Sequence, residues 1–309
     1  MTRAVDAAGR RAGWLWALTA VTIWASWFAV TAHGVRGSFA PVDVALVRVA
    51  VPTVVLALPL WVARHRLAAA LRPSDVLGLA LYGLPFVAAV AVGLAHAPVS
   101  HAVALVPGLV PVLAGLWAVF ADGARPPPRR WFGFALLVAG AVLVVTAGGG
   151  EPLGHACLLA ASLCLAVFTV TVRRLGLPPF VATGVVAAVS AVILAPAYLL
   201  WPIGRLAAAP WGELGLQVVV QGVATGLVAT YAYARAIGLL GAAVAAATVA
   251  LVPPMATLIG WLALGERPGV VEVVAVALVA AGVFAAADVR LKRRARGETA
   301  GTGSGRSAA

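Results

Sequence analysis

Long, uninterrupted apolar runs constrain this chain more than any other feature. About ten occur, over roughly 14–32, 44–63, 75–95, 99–121, 131–147, 153–172, 180–201, 213–235, 242–264 and 270–287. Each is near the roughly 20 residues that a helix needs to cross a bilayer's hydrocarbon. Backbone N–H and C=O groups find no partner in hydrocarbon, so only helices and closed barrels span it. Barrel strands would read as segments of about ten residues with alternating polarity, whereas these runs are continuous. The fold class expected is an all-α polytopic membrane protein with about ten transmembrane helices. Composition agrees: hydrophobic residues make up 63% of the 309 and charged residues 10%, against the roughly 25% charged of soluble domains.

The cations set the orientation, because cytoplasmic loops are enriched in Lys and Arg. With the N-terminus inside, 18 of the 22 cations fall inside and three (Arg36, Arg205, Arg267) outside, with Arg48 within a run. Both termini are therefore expected in the cytoplasm, with the chain in the cell (inner) membrane. Residues 1–13 form a short cytoplasmic segment. Arg10-Arg11 precede a run that is Trp-rich and lacks a clear cleavage site, so it reads as a retained first helix. Residues 288–309 form a Gly/Ser-rich tail, expected to be disordered and cytoplasmic. Its basic cluster, Arg290 to Arg296, stands where it would meet anionic lipid. The net charge of +12 does not point to nucleic acid, since the charges lie between apolar runs with no interleaved aromatics. Cys157 and Cys164, seven apart on one helix, read as packing thiols rather than a disulfide.

The chain repeats. A shift of 142 positions lays Pro111 on Pro253, Gly123-Ala124-Arg125-Pro126 on Gly265-Glu266-Arg267-Pro268, and Ala139-Gly140 on Ala281-Gly282. The repeats are read as 14–147 and 148–287, each with five helices. An odd number of spans inverts the second unit, and inverted repeats with a site at their interface are a secondary-transporter architecture.

The stretch from Pro253 through Leu264-Gly265-Glu266, followed by Gly282-Val283, resembles the drug/metabolite transporter superfamily, in particular its EamA-type members. Trp24-Ala25-Ser26-Trp27 is similar to that family's first-helix pattern. Arg48 sits where many members carry an Arg-Phe pair, here followed by Val49, and Ala124 replaces the first repeat's expected Glu. The resemblance covers nearly all of 10–287. It implies two inverted five-helix bundles around a central cavity, carriage of small organic solutes such as amino acids, metabolites or drugs, and no catalytic chemistry.

Polar side chains within spans are expensive and frequently functional. On the first helix Thr19, Thr22, Ser26 and His33 share a face, and Trp24 and Trp27 lie mid-span. These are either cavity walls for an aromatic or cationic solute or helix-packing groups. Gln217, Gln221 and Thr225 recur at four-residue spacing, either as a polar pathway or as interhelical hydrogen bonds. Tyr82 lies in the third run. Arg48 is placed either to grip a substrate carboxylate or to snorkel. Glu272 is the only acid clearly displaced into a predicted span, a candidate for proton coupling or a helix-dipole partner. His96 and His101 read as loop histidines. The candidate substrate residues are thus Trp24, Ser26, Trp27, Arg48, Tyr82, Gln217, Gln221 and Thr225, with Glu272 for protons; no catalytic, metal or cofactor site is expected. The function expected is a secondary transporter, an exporter acting as a monomer. A receptor or structural membrane protein is the alternative.

Overall fold

A computed structural model describes residues 7–146, 148–201 and 203–287. All regular elements among them are helical. They are α1 (Ala7–Arg36), α2 (Pro41–Ala70), α3 (Pro73–His96), α4 (Val99–Asp122), α5 (Pro128–Thr146), α6 (Pro152–Leu175), α7 (Pro179–Leu200), α8 (Trp211–Leu240), α9 (Ala242–Leu264) and α10 (Val270–Ala286). Nine of these are long and apolar enough to cross a membrane; α10, with 17 residues, is shorter. The chain is a multi-pass membrane protein. The basic tail and its lipid contact lie outside the described residues.

Local chemistry sets the helix ends. Pro opens α2, α3, α5, α6 and α7, where its missing N–H costs nothing and its φ is already helical. Gly123, Gly176 and Gly265 close α4, α6 and α9 with φ of 66°, 61° and 73°, a left-handed turn that only glycine adopts freely.

Helices from the two halves pack in antiparallel pairs. On α5 and α10, a methyl at Gly133 would lie 2.8 Å from Ala286 N, and one at Gly140 2.8 Å from the Ala275 carbonyl oxygen. On α2 and α7, Asp43 meets Tyr198 at one end, and Leu60 lies beside Gly184 at the other. Similarly α1 runs against α8 through Trp16–Tyr231 and Val30–Gln217, and α3 against α6 through Gly78–Thr171 and Gly93–Leu158. Lipid tails are as apolar as the helices, so association rests on close backbone approach and hydrogen bonds.

Three helices depart from regular geometry: α9 carries a short 3-10 turn at Val249–Leu251, and α3 and α8 depart further. The sequence predicts a span over 75–95 in which Pro85 suggests a kink; α3 goes further and is two pieces, Pro73–Ala80 and Leu84–His96. Pro85 lacks an N–H and its ring would clash with the Leu81 carbonyl, and Gly83 takes up the bend. The freed Leu84 N–H donates to Ser190 Oγ on α7 at 3.2 Å. In α8, residues Val218–Val228 form a π-helix. The Thr225 hydroxyl donates to the Val220 carbonyl five residues back, at 2.6 Å. Gly222 and Gly226 there abut α2, where added methyls would lie 2.5 Å from Val51 and 2.7 Å from Pro52.

Gly140→Leu is expected to cost about 1–3 kcal/mol by overpacking, lowering the Tm of the protein in detergent. Gly212→Ala, at a position with nothing within 4 Å of the new methyl, is expected to leave Tm unchanged.

Candidate substrate site around Arg48

Arg48 lies seven residues beyond the first residue of α2, about 10 Å along it at 1.5 Å per residue. It is 9% exposed. Its guanidinium carbon stands 5.0 Å from the Trp27 ring centroid and 5.6 Å from that of Tyr82. Nη2 donates to Tyr82 Oη at 3.1 Å. Nη1 is buried without a hydrogen-bond partner, and no ion pair among the described residues involves Arg48. Phe86 stacks on Trp27 at 5.8 Å and Phe168 on Tyr82 at 4.3 Å, which holds the two rings in place.

The energetics favour a charge held in readiness. Placing Arg at a helix centre costs about 2.5–3.5 kcal/mol on insertion scales. Each desolvated cation–π contact returns up to about 2 kcal/mol. The aromatic faces offset burial without neutralising the cation, so the field at Nη1 still attracts an anion. The adjoining cavity measures about 30 Å³ and is lined by Val49, Pro52, Tyr82, Gly83, Thr183, Val186, Ala187 and Gly226 besides Arg48. That volume admits water but no organic solute, so the site is closed in this conformation. Tyr82 sits in the break of α3, and Gly226 in the π-segment of α8. The walls of the cavity thus include these two irregular stretches of backbone.

The α8 polar residues point at α1. Trp27 Nε1 donates to Gln221 Oε1. Gln221 Nε2 donates to Thr31 Oγ1 at 2.8 Å and to Gln217 Oε1 at 3.2 Å, and Gln217 Nε2 donates to the Val30 carbonyl at 2.8 Å. Gln217, Gln221 and Thr225 are all buried. The network therefore fixes Trp27, and through it one face of the Arg48 site. Trp24 contacts the Tyr233 ring at 5.0 Å, and Ser26 is half-buried. The shared face predicted for α1 is not the buried one: Thr19, Thr22 and His33 are exposed, and Thr31 supplies the interior hydroxyl.

A second polar assembly occupies the end of the bundle where α1 finishes. Arg36 Nη1 pairs with Glu266 at 2.6 Å, and its other nitrogens donate to the Leu94 and Ala97 carbonyls. Glu266 also accepts from the Val99 N–H at 2.9 Å. Glu272 accepts from the Gly269 N–H at 2.6 Å and from Ser100 at 3.2 Å, and meets His101 Nε2 at 3.1 Å. His101 is no loop residue: it lies in α4, fully buried, with Nδ1 2.8 Å from His155 Nε2. A cavity of about 320 Å³ opens beside this assembly, lined by Ser100, Thr257, Glu266, Arg267 and Glu272 among others. Among the described residues, no group of three or more His, Cys, Asp or Glu side chains is arranged to hold a metal ion.

The family model of the EamA-like transporter family matches residues 11–146 and again 152–287. The chain belongs to this family. A protein of known crystal structure, 24% identical, covers 92% of this chain and 99% of its own length with a TM-score of 0.58; likeness at that identity speaks for the fold alone. None of the curated proteins compared matches the chain.

Within this EamA-like frame, the structure brings together Trp27, Arg48 and Tyr82; Arg48 and Tyr82 line one cavity, and Gln217 and Gln221 stand behind Trp27. It sets Glu272 apart, in the assembly around Arg36. Sequence reasoning missed Asp43 and Asp75, both buried. Asp43 receives the Tyr198 hydroxyl at 2.6 Å, and Asp75 pairs with Arg174. Each stands three residues after a helix-preceding backbone N–H that it accepts, a helix-start position that hid its second contact.

Gln221→Leu is expected to destabilise the protein by about 1–3 kcal/mol, because Trp27 Nε1 and Gln217 Oε1 lose their partner in a dry interior. A Tm lowered by several degrees in detergent checks this.

Proposed function

We propose that the protein is a secondary transporter of small organic solutes bearing an anionic group, an exporter in direction, working by alternating access. The observation that carries this reading is the buried guanidinium of Arg48, with an unpartnered Nη1 between two aromatic faces. A planar guanidinium with a free edge matches a carboxylate's two oxygens, and the rings suit an apolar or aromatic body. Trp24, Ser26, Gln217, Gln221 and Thr225 extend the proposed binding region along α1 and α8.

The closed cavity requires movement for a solute to enter. The broken α3 and the π-segment of α8 supply it, since discontinuous helices commonly form transporter sites and π-bulges gather at functional sites. These are the third helices of the proposed repeats 14–147 and 148–287. The antiparallel packing of α2 on α7 and α5 on α10 supports inverted repeats, because counterpart helices then run in opposite directions. On this reading α10 completes ten spans, both termini are cytoplasmic, Arg36 marks the outer face of the cell membrane, and one chain encloses a complete pathway.

Counterflow in proteoliposomes with labelled amino acids, organic acids and cationic drugs tests the proposal. Saturable exchange of carboxylate-bearing solutes is expected; exchange confined to cations would overturn the anion assignment. A hydrogen bond to a charged group is worth about 1.5–3 kcal/mol, and 1.4 kcal/mol is tenfold. Arg48→Gln should therefore weaken apparent affinity by about 10- to 100-fold, with Arg48→Lys intermediate.

A further inference from the structure

The geometry points to Glu272, His101 and His155 as a chain that binds the coupling proton, loaded from the cavity at the Arg36 end. The assignment of that proton to coupling rests on the transport reading above; the proton site itself does not.

Three titratable groups from three helices lie in one hydrogen-bonded line. His101, on α4, is 0% exposed and spends both ring nitrogens inside it, on Glu272 of α10 and on His155 of α6. A neutral imidazole has one donor and one acceptor nitrogen. With Glu272 ionised, His101 therefore donates from Nε2 to the carboxylate, and its Nδ1 accepts the Nε2–H of His155. The line carries one negative charge in this state. Only Glu272 of the three also lines the 320 Å³ cavity, with its side chain 15% exposed. The histidines are shut away behind it, 0% and 7% exposed.

Hydronium in the cavity gives its proton to Glu272: one hydronium O–H bond breaks, an O–H bond forms on the carboxylate, a water molecule is left, and the charge of the line falls to zero. The ring N–H bonds of His101 and His155 stay intact. The carboxylate's hold on Ser100, on His101 and on the Gly269 N–H then loses its charge assistance, and charge-assisted bonds are about twice as strong as neutral ones. The bonds to Ser100 and His101 tie α10 to α4, so protonation loosens the end of the bundle that faces the cavity. The surrounding charges are arranged to leave Glu272 as the responsive group. Glu266 is neutralised by Arg36 of α1, His96 of α3 is matched to Glu151 at 2.9 Å, and Arg267 lines the same cavity and favours the ionised form.

The experiment uses the full-length protein in lipid nanodiscs with ring-¹⁵N-labelled histidine, titrated between about pH 5 and 8, where histidine changes charge. His101→Gln and His155→Gln variants assign the two signals. The expected result is that His101 and His155 respond together in one step, and that Glu272→Gln changes the response of both while leaving His33 and His65 unaffected. Independent titration of the two rings, or insensitivity to Glu272→Gln, overturns the proton site. In proteoliposomes, the ratio of uptake with a proton gradient to uptake without one is expected to fall to unity in Glu272→Gln and His101→Gln, with counterflow retained. A wild-type ratio preserved in both variants overturns coupling. Absence of counterflow by the wild-type protein counts against the transport reading, while the titration, which needs no substrate, still decides the proton site.

Discussion

A bilayer interior offers no hydrogen-bond partner, and among the described residues every buried side-chain nitrogen and oxygen except Arg48 Nη1 finds one within the protein. The backbone answers the constraint by going helical. The side chains answer it by sharing. Asp43, Asp75 and Glu272 each stand three residues into a helix start and use one oxygen on the backbone N–H ahead of it. The other oxygen of each reaches a different helix: Tyr198 for Asp43, Arg174 for Asp75, and Ser100 with His101 for Glu272. A chain with ten acids in 309 residues thus obtains helix capping and interhelical attachment from the same carboxylates. These attachments stand at helix starts, near water, where an ion is cheaper to hold than at the bilayer centre.

The interior beyond those ends is held differently. At Gly133, Gly140 and Gly282 between α5 and α10, an added methyl would lie 2.8–2.9 Å from backbone atoms of the facing helix, with Val279 packed on Gly140 and Leu137 on Gly282. Such contacts are rigid, since a methyl is already too large. The Arg48 site has the opposite character. It is walled by a helix broken at Tyr82 and by a π-helical stretch whose hydrogen bonds reach five residues back. Firm packing thus lies on one flank and irregular backbone on the other, beside the unpartnered cation.

The sequence shows the helices plainly, because length, Pro starts and Gly ends are local properties. Arg48 is legible for the same reason: a cation inside an apolar run is conspicuous whatever surrounds it. What the sequence hides is adjacency. Gln217 and Gln221 read equally as pathway or as stitching until α8 is known to lie on α1, where Trp27 and Thr31 absorb their hydrogen bonds. His101 reads as a loop residue because it follows Pro98 by three positions, and nothing local says that His155 and Glu272, 54 and 171 residues away, come to it. The break in α3 had a local signal in Pro85, which suggests a kink, but the apolar pattern continues through it, so that the kink is a full break at Gly83 shows only in the structure.

The two assemblies, one around Arg48 and one around Glu272, are complementary in charge. The first is a dry cation lacking an anion; the second is a carboxylate chain with access to a cavity. On the proposed reading, an anionic solute at Arg48 would satisfy the first and a proton at Glu272 would neutralise the second. Each binding event removes one unit of uncompensated charge from a medium that penalises it. α1 carries Trp27 of the first assembly and Arg36 beside the second, nine residues apart on one rigid helix that also packs on α8. A helix fixed at both places cannot tilt at one end without moving the other. On the proposed reading, that is the physical link a coupled carrier needs: two charged sites touched by the same lever.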